Sequence, residues 1–202
     1  MLPSASTERS GEVYELIVIG TSWGGLQALS RLLEGLPDDV HQPIVVAQHR
    51  STESETVVLG RLLQHHTRRL VGDPDDKTPL EDDHVYLGPP DYHVLIEGNH
   101  LALSTDAPVW FARPSIDVLF QSAADAYRER AIGIVLTGAN TDGAEGLARI
   151  KHCGGVAIVQ DPATSQKRTM PDAAIAATAA DAVLRLEEIP GFVYGLCCDV
   201  AA

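Results

Sequence analysis

Cysteine is scarce in this chain: three in 202 residues, Cys153, Cys197 and Cys198. A small, odd number without Cys-x-x-Cys spacing excludes a disulfide framework and a dithiol redox motif, and it suits a reducing cytoplasm. Basic residues are also few, 15 Lys and Arg against 28 Asp and Glu, giving a net charge of −13. Such a surface repels polyanions at long range, and no basic stripe offsets it, so nucleic acid and anionic membranes are not expected partners. Long apolar runs are missing as well, none approaching the roughly 18–20 residues of a membrane span. The opening MLPSASTERSGE has no basic region followed by an apolar core, so it is no secretory signal; residues 1–12 read as a disordered tail. No Gly-Lys pair occurs, which excludes a Walker phosphate loop. No His-x3-His or Cys/His cluster supports zinc, and adjacent His65 and His66 cannot share one helix face. The acidic stretch GDPDDKTPLEDD lacks the ligand order of an EF-hand and reads as a solvated loop.

What is present is an alternation of buried-strand and helix patterns. YELIVIG (14–20), PIVVAQ (43–48), AIGIVL (131–136) and VAIVQ (156–160) are apolar strand-length runs. Leu26, Leu29, Leu32, Leu33 and Leu36 recur at helical spacing before Pro37, and 54–66 is helix-like with Val57, Val58 and Leu62 inward, Leu63 a further candidate. A weaker strand, RRLVG, follows. HVYLGPP, YHVLIEG and HLALS are short and β-rich, with a Gly98-Asn99 turn, and read as an antiparallel insertion at a sheet edge. Ser115 caps a helix over 115–129, DGAEGLARIKHCGG is a helix closed by glycines, and 172–180 is another. The pattern predicts an α/β fold: a doubly wound, mostly parallel, Rossmann-like sheet with an antiparallel β-hairpin insertion. With no repeat or long linker, 13–202 reads as a single domain.

In such sheets, sites gather at the carboxyl ends of strands. The first strand ends in GTSWGG, the second in AQHRS, and the 131–136 strand in LTGANTDG, offering Ser22, His49 and Asp142. A dinucleotide loop would need glycine at Ser22 and an acidic residue where Gln48-His49 stands, so that reading is weak. Gly20-Thr21-Ser22-Trp23-Gly24 instead matches the Gly-x-Ser-x-Gly nucleophile elbow in its strand–turn–helix setting. The order Ser, His, Asp and the position after the first strand do not match α/β-hydrolases, but a triad is defined by geometry rather than order. A serine hydroxyl needs a base, and the base an orienting carboxylate; His49 and Asp142 supply both types. Trp23 and Gly24 at the helix start, with Ala139 and Asn140 in the 138–143 loop, are the candidate oxyanion site and pocket. Each residue also has a plainer reading: Ser22 and Asp142 as helix caps, His49 as a structural histidine. His93 is the rival base, read as structural or substrate-lining.

Five ordered blocks, IGTSWGGLQAL, VVAQH, YLGPPDYHV, RPSIDVLFQSAA and GIVLTGANTDGAEGL, resemble the catalytic domain of CheB-type chemotaxis protein-glutamate methylesterases. The resemblance runs from about residue 14 to 195. It implies a carboxylic ester hydrolase that demethylates glutamate γ-methyl esters on chemoreceptor helices, releases methanol, and in many members deamidates receptor glutamines. By position it makes Ser22 the nucleophile, His49 the general base and acid, and Asp142 its orienter, with no cofactor or metal. It also implies departures. Trp23 stands where a small residue is usual, Ala139 replaces a methionine, and Asn140-Thr141 replace a Gly-Asn pair. Arg50-Ser51-Thr52 replace a more apolar stretch. Family members usually carry a receiver domain ahead of this one, whereas here about a dozen residues precede the first strand. The resemblance thus leaves a stand-alone esterase domain, an excised one, or one regulated in trans by a response-regulator partner. Arg50, Arg113 and their neighbours are expected to line the substrate site as a local positive patch on an acidic protein. The competing reading is a signalling or binding module of the same fold whose turnover is weakened at Trp23, Ala139 and Asn140.

Overall fold

The structure is a computed structural model that describes residues 14–49 and 56–198. Its centre is β1 (Leu16–Thr21), wholly buried along its length. β1 pairs in parallel with β2 (Ile44–Gln48) on one side and β7 (Ala131–Val135) on the other. Beyond β2 lie β4 (His84–Leu87) and then β3 (Leu70–Gly72); beyond β7 lie β8 (Val156–Gln160) and β9 (Ala182–Leu184). Every pairing in this seven-stranded sheet, β3-β4-β2-β1-β7-β8-β9, is parallel. Parallel strands buried on both faces need apolar side chains at every position, which is why these segments read as continuous runs rather than alternations.

The two faces have separate cores. Ile17, Ile19, Val46 and Ile134 pack beneath α1 (Gly25–Gly35), α2 (Thr56–Gln64) and α6 (Ile189–Cys198). Leu16, Val18, Val45 and Val135 pack under α3 (Ile116–Tyr127), α4 (Ala144–His152) and α5 (Thr169–Ala177). Phe120 of α3 is fully buried at the centre of the second core. Burying a side chain of that size contributes about 1.5–3 kcal/mol. From β1 the chain first winds outward to β2, then returns through α3 on the opposite face to enter β7. The strand order reverses between β1 and β7, so a crevice opens there at the carboxyl edge.

The doubly wound parallel sheet and the hairpin match the sequence expectation, with four corrections. First, HVYL does not belong to the antiparallel insertion: as β4 it pairs in parallel with β2 and β3. Val85, Tyr86 and Leu87 are buried on both faces, as an interior strand requires. Only β5 (His93–Glu97) and β6 (His100–Ser104) are antiparallel. They form a separate two-stranded sheet, not an extension of the main edge, and share a core with α3 through Val94, Ile96 and Leu101. Second, α2 turns Leu59 and Leu63 inward while Val58 and Leu62 are exposed, because the 59/63 pair forms one i, i+4 stripe. Third, Leu26 of α1 is exposed too, and α5 begins three residues before the predicted 172. Fourth, β9 and α6 were not foreseen. The tail 1–12 lies outside the described residues. Among the described residues no helix is long and apolar enough to cross a membrane.

Candidate active site

Ser22 follows directly on β1, and its backbone N–H donates to the Thr137 carbonyl at the end of β7 (3.0 Å). The chain then turns into α1 through Gly24, which takes the left-handed conformation (φ 82°) and serves as N-cap. That φ is one L side chains rarely adopt, which is what calls for glycine here; a Cβ would also displace the Gln166 amide. No side chain caps α1: the Gly25 N–H donates to the Ser22 carbonyl (2.9 Å), and the Leu26 and Gln27 N–H groups that follow it in the first turn have no side-chain cap. The plainer reading of Ser22 as the helix cap therefore does not apply. Trp23 is 61% exposed, with the Lys167 ammonium 5.8 Å from its ring centroid. Its side chain points to solvent and does not seal the half-buried serine.

One step past the Thr21↔Gln48 pair of β1 and β2 stands His49, whose N–H donates to the Thr21 carbonyl (3.1 Å). Adjacent strands lie about 4.8 Å apart, so this register sets His49 beside Ser22. The His49 Nε2 lies 2.7 Å from Asp142 Oδ2. The other ring nitrogen, Nδ1, lies 3.2 Å from Nδ2 of Asn140. Among the described residues the Ser22 hydroxyl makes no hydrogen bond to the ring. A long or absent serine–histidine contact is common before substrate binds.

Asp142 is completely buried, and it is not the cap of its own helix. It crosses to the start of α3, where it accepts from the Ser115 hydroxyl (2.9 Å), the Ile116 N–H (2.7 Å) and the Asp117 N–H (2.9 Å). Burial alone would raise its pKa. The His49 contact and the α3 N–H groups outweigh that and hold it below the usual carboxylate range. The carboxylate therefore stays ionised and fixed against the imidazole.

Asp117, which the sequence reading did not single out, makes the opposite crossing. Its Oδ1 accepts from the N–H groups of Gly143 (3.0 Å) and Gly146 (2.7 Å) at the start of α4, and Trp110 Nε1 donates to its Oδ2 (3.2 Å). Burial, reinforced by the neighbouring Asp142 charge, pushes its pKa up to about 6. A signal was present: Asp117 lies three and seven residues before Phe120 and Ala124, on the buried stripe of α3.

The remaining candidates divide. Ala139 is exposed and Asn140 half-buried, both in the loop beside His49. His93 is 2% exposed; its Nε2 donates to the Ala107 carbonyl (3.1 Å) and its Nδ1 accepts from the Ser115 N–H (3.2 Å). Buried and held between two backbone groups, it supports the α3 N-terminus rather than facing the crevice of Ser22. Arg113 is bound to Asp91 and donates to the carbonyls of Thr105 (2.8 Å) and Asp106 (2.9 Å). Its charge is matched by Asp91, from the loop between β4 and β5, so it supplies no free positive patch. Arg50 lies outside the described residues.

Comparison with known proteins fits this geometry. A Leptospira interrogans protein that carries both glutamate-methylesterase and glutamine-glutaminase activities in its name is 44% identical over 177 residues, spanning 87% of this chain and 91% of that one. The protein-glutamate methylesterase/protein-glutamine glutaminase of Maricaulis maris is 38% identical over 192 residues, and there this chain spans 48% of the longer relative. The crystal structure of the Thermotoga maritima CheB methylesterase catalytic domain superposes with a TM-score of 0.86 at 29% identity, covering 91% of this chain and 98% of that one. The family model for CheB methylesterase matches residues 17–193, a span that takes in the serine turn, the histidine and both crossed aspartates: the chain belongs to the CheB methylesterase family.

Proposed function

We propose that this protein is a serine hydrolase of glutamate γ-methyl esters on chemoreceptor-like helices, releasing methanol, with glutamine deamidation as a second reaction of the same site. Residues 13–202 are read as one catalytic unit, working in the cytoplasm and open to control by a response-regulator partner. The observation that carries this reading is the 2.7 Å contact of His49 with a buried, ionised Asp142 at the crevice where Ser22 turns out of β1. Ser22 Oγ attacks the ester carbonyl while His49 takes its proton. The carbonyl electron pair moves to oxygen, and the uncapped N–H groups that follow Gly25 in the first turn of α1 supply the positive end that stabilises that charge. The intermediate collapses as His49 returns the proton to the methoxy oxygen, and methanol leaves. Water, deprotonated by His49, then attacks the acyl-serine, and glutamate and Ser22 are regenerated. A glutamine would follow the same course with ammonia as the leaving group. Every bond made or broken uses only these side chains and water.

The weakened-module reading is disfavoured by the intact histidine–aspartate contact and by Trp23 standing clear of the serine. Methanol release from methylated receptor membranes, compared with Ser22→Ala, is the test. Release by wild type alone is expected. Release by neither would overturn the enzyme reading, and release by both would assign the chemistry to another nucleophile.

A further inference from the structure

Asn140 stands where the resemblance has glycine, and its side chain closes a ring of contacts that fixes every hydrogen around His49. Its Oδ1 accepts from the Asp142 backbone N–H (3.3 Å), a group that can only donate. The amide orientation is thereby decided, and Nδ2 must face the imidazole, 3.2 Å from Nδ1. An amide NH2 can only donate, so Nδ1 carries a lone pair and no proton. The proton of the neutral ring then sits on Nε2, where it is donated to Asp142 Oδ2. Asp142 cannot turn to suit another arrangement, because both its oxygens accept from the start of α3. Both ring nitrogens are held, in one orientation and one tautomer.

This arrangement has a consequence for Ser22. In the usual serine triad the carboxylate takes the Nδ1 proton and Nε2 is the base. Here the roles are reversed: Nδ1 is the only nitrogen able to accept the serine proton, and Asn140 occupies its lone pair. We propose that Asn140 is a positioning residue that presents Nδ1 as the base and holds its lone pair until Ser22 displaces the amide. The assignment rests on the serine-hydrolase reading above. When the Ser22 proton passes to Nδ1 and Oγ bonds to the carbonyl carbon, the ring becomes an imidazolium with an N–H at both positions. The Asn140 NH2 then faces another donor and must leave. When the ring gives that proton to the departing methanol, the lone pair returns and the amide can resume its place.

Two measurements on the full chain test this. Nitrogen-15 spectra of the histidine rings report tautomer, and labelling by a small phosphonofluoridate reports how readily Ser22 reacts, with no receptor needed. The wild-type His49 ring is expected to show an unprotonated Nδ1 and a protonated Nε2. Asn140→Ala frees the lone pair, and labelling should accelerate by about twofold to tenfold, the equivalent of one neutral hydrogen bond that no longer has to be broken. Asn140→Asp places an acceptor at Nδ1, and labelling should fall at least tenfold as that nitrogen takes a proton. Opposite effects of deleting the amide and of replacing it by a carboxylate of the same shape, with the matching ring signals, are not what a merely structural role would give. A wild-type spectrum with a protonated Nδ1, or equal labelling in all three proteins, overturns the assignment alone. Absence of labelling in all three overturns the serine-hydrolase reading together with it.

Discussion

Asp142 and Asp117 cap each other's helices. Asp142 precedes α4 but accepts from the first N–H groups of α3, and Asp117 belongs to α3 but accepts from the N–H groups of Gly143 and Gly146 at the start of α4. Each carboxyl group meets the positive end of the other's helix, which favours the anion; at Asp142 that stabilisation prevails, and at Asp117 burial outweighs it. The exchange ties the loop that carries Asp142 to a wholly separate element. It also makes the orientation of His49 depend on how α3 and α4 pack.

Asp142→Asn is expected to damage both activity and stability. Every neighbour of the carboxylate is a donor: His49 Nε2, the Ser115 hydroxyl, and two backbone N–H groups. The NH2 of asparagine would confront one of them wherever it turned. A fall in kcat of about 10³–10⁴-fold is expected from the misplaced histidine, with KM little changed. A loss of about 2–4 kcal/mol should appear in urea unfolding. A variant with near-normal kcat would remove Asp142 from the mechanism.

Asp117 gives a pH dependence of definite sign. Burial pushes its pKa up to about 6, above the ordinary carboxyl range, so the folded state favours the neutral acid. Its contribution to stability is therefore fully present below the unfolded value and is lost as pH rises through about 6. Asp142 has the opposite sign: its lowered pKa contributes stability above the unfolded value, lost as pH falls through the folded one. Subtracting Asp117→Asn from wild type in urea titrations between pH 4 and pH 8 isolates the first effect. Relative to the variant, wild type should lose stability across that range. A flat difference would contradict the burial-driven shift.

Gly20 is expected to matter for catalysis although it touches nothing reactive. A Cβ there would lie 2.2 Å from Cγ2 of Ile116, whose N–H holds Asp142. Gly20→Ala should cost about 1–3 kcal/mol by overpacking. It should also lower kcat by shifting the start of α3. Gly133→Ala is the control: its Cβ would meet the flexible ends of Ile150 and Leu147 instead, at 2.6 and 2.9 Å. Comparable destabilisation with kcat near wild type is expected for it. Equal kcat values in the two variants would break the link between Ile116 and the carboxylate.

The legible parts of this protein share one property: their signal is local. A strand buried on both faces must be apolar throughout, so LIVIG and AIGIV announce themselves, and the polar residues that follow mark the carboxyl edge. Ser22, His49 and Asp142 could be picked out because each comes soon after such a strand. The face of α2 was misread because Val58, Leu59, Leu62 and Leu63 support two adjacent stripes, and only the packing partner chooses between them. β4 was misplaced because a four-residue apolar strand carries no mark of its partner's direction. Asp117 was passed over because its partners, Gly143 and Gly146, lie more than 25 residues along the chain.

The α/β class, the strands of the sheet's centre and the chemical types gathered at their ends were legible residue by residue, because burial periodicity and turn chemistry are written within a few residues. The rest came from how distant segments pack. Parallel registry set Ser22 beside His49, and the packing of α3 against α4 brought Asp142 under the imidazole and Asp117 beside it. The loops around the β5–β6 hairpin retired His93 and Arg113 into structural roles by giving their polar atoms backbone and carboxylate partners. A residue's type limits the chemistry it can perform; which hydrogen it keeps, and for whom, depends on neighbours that only the folded chain supplies.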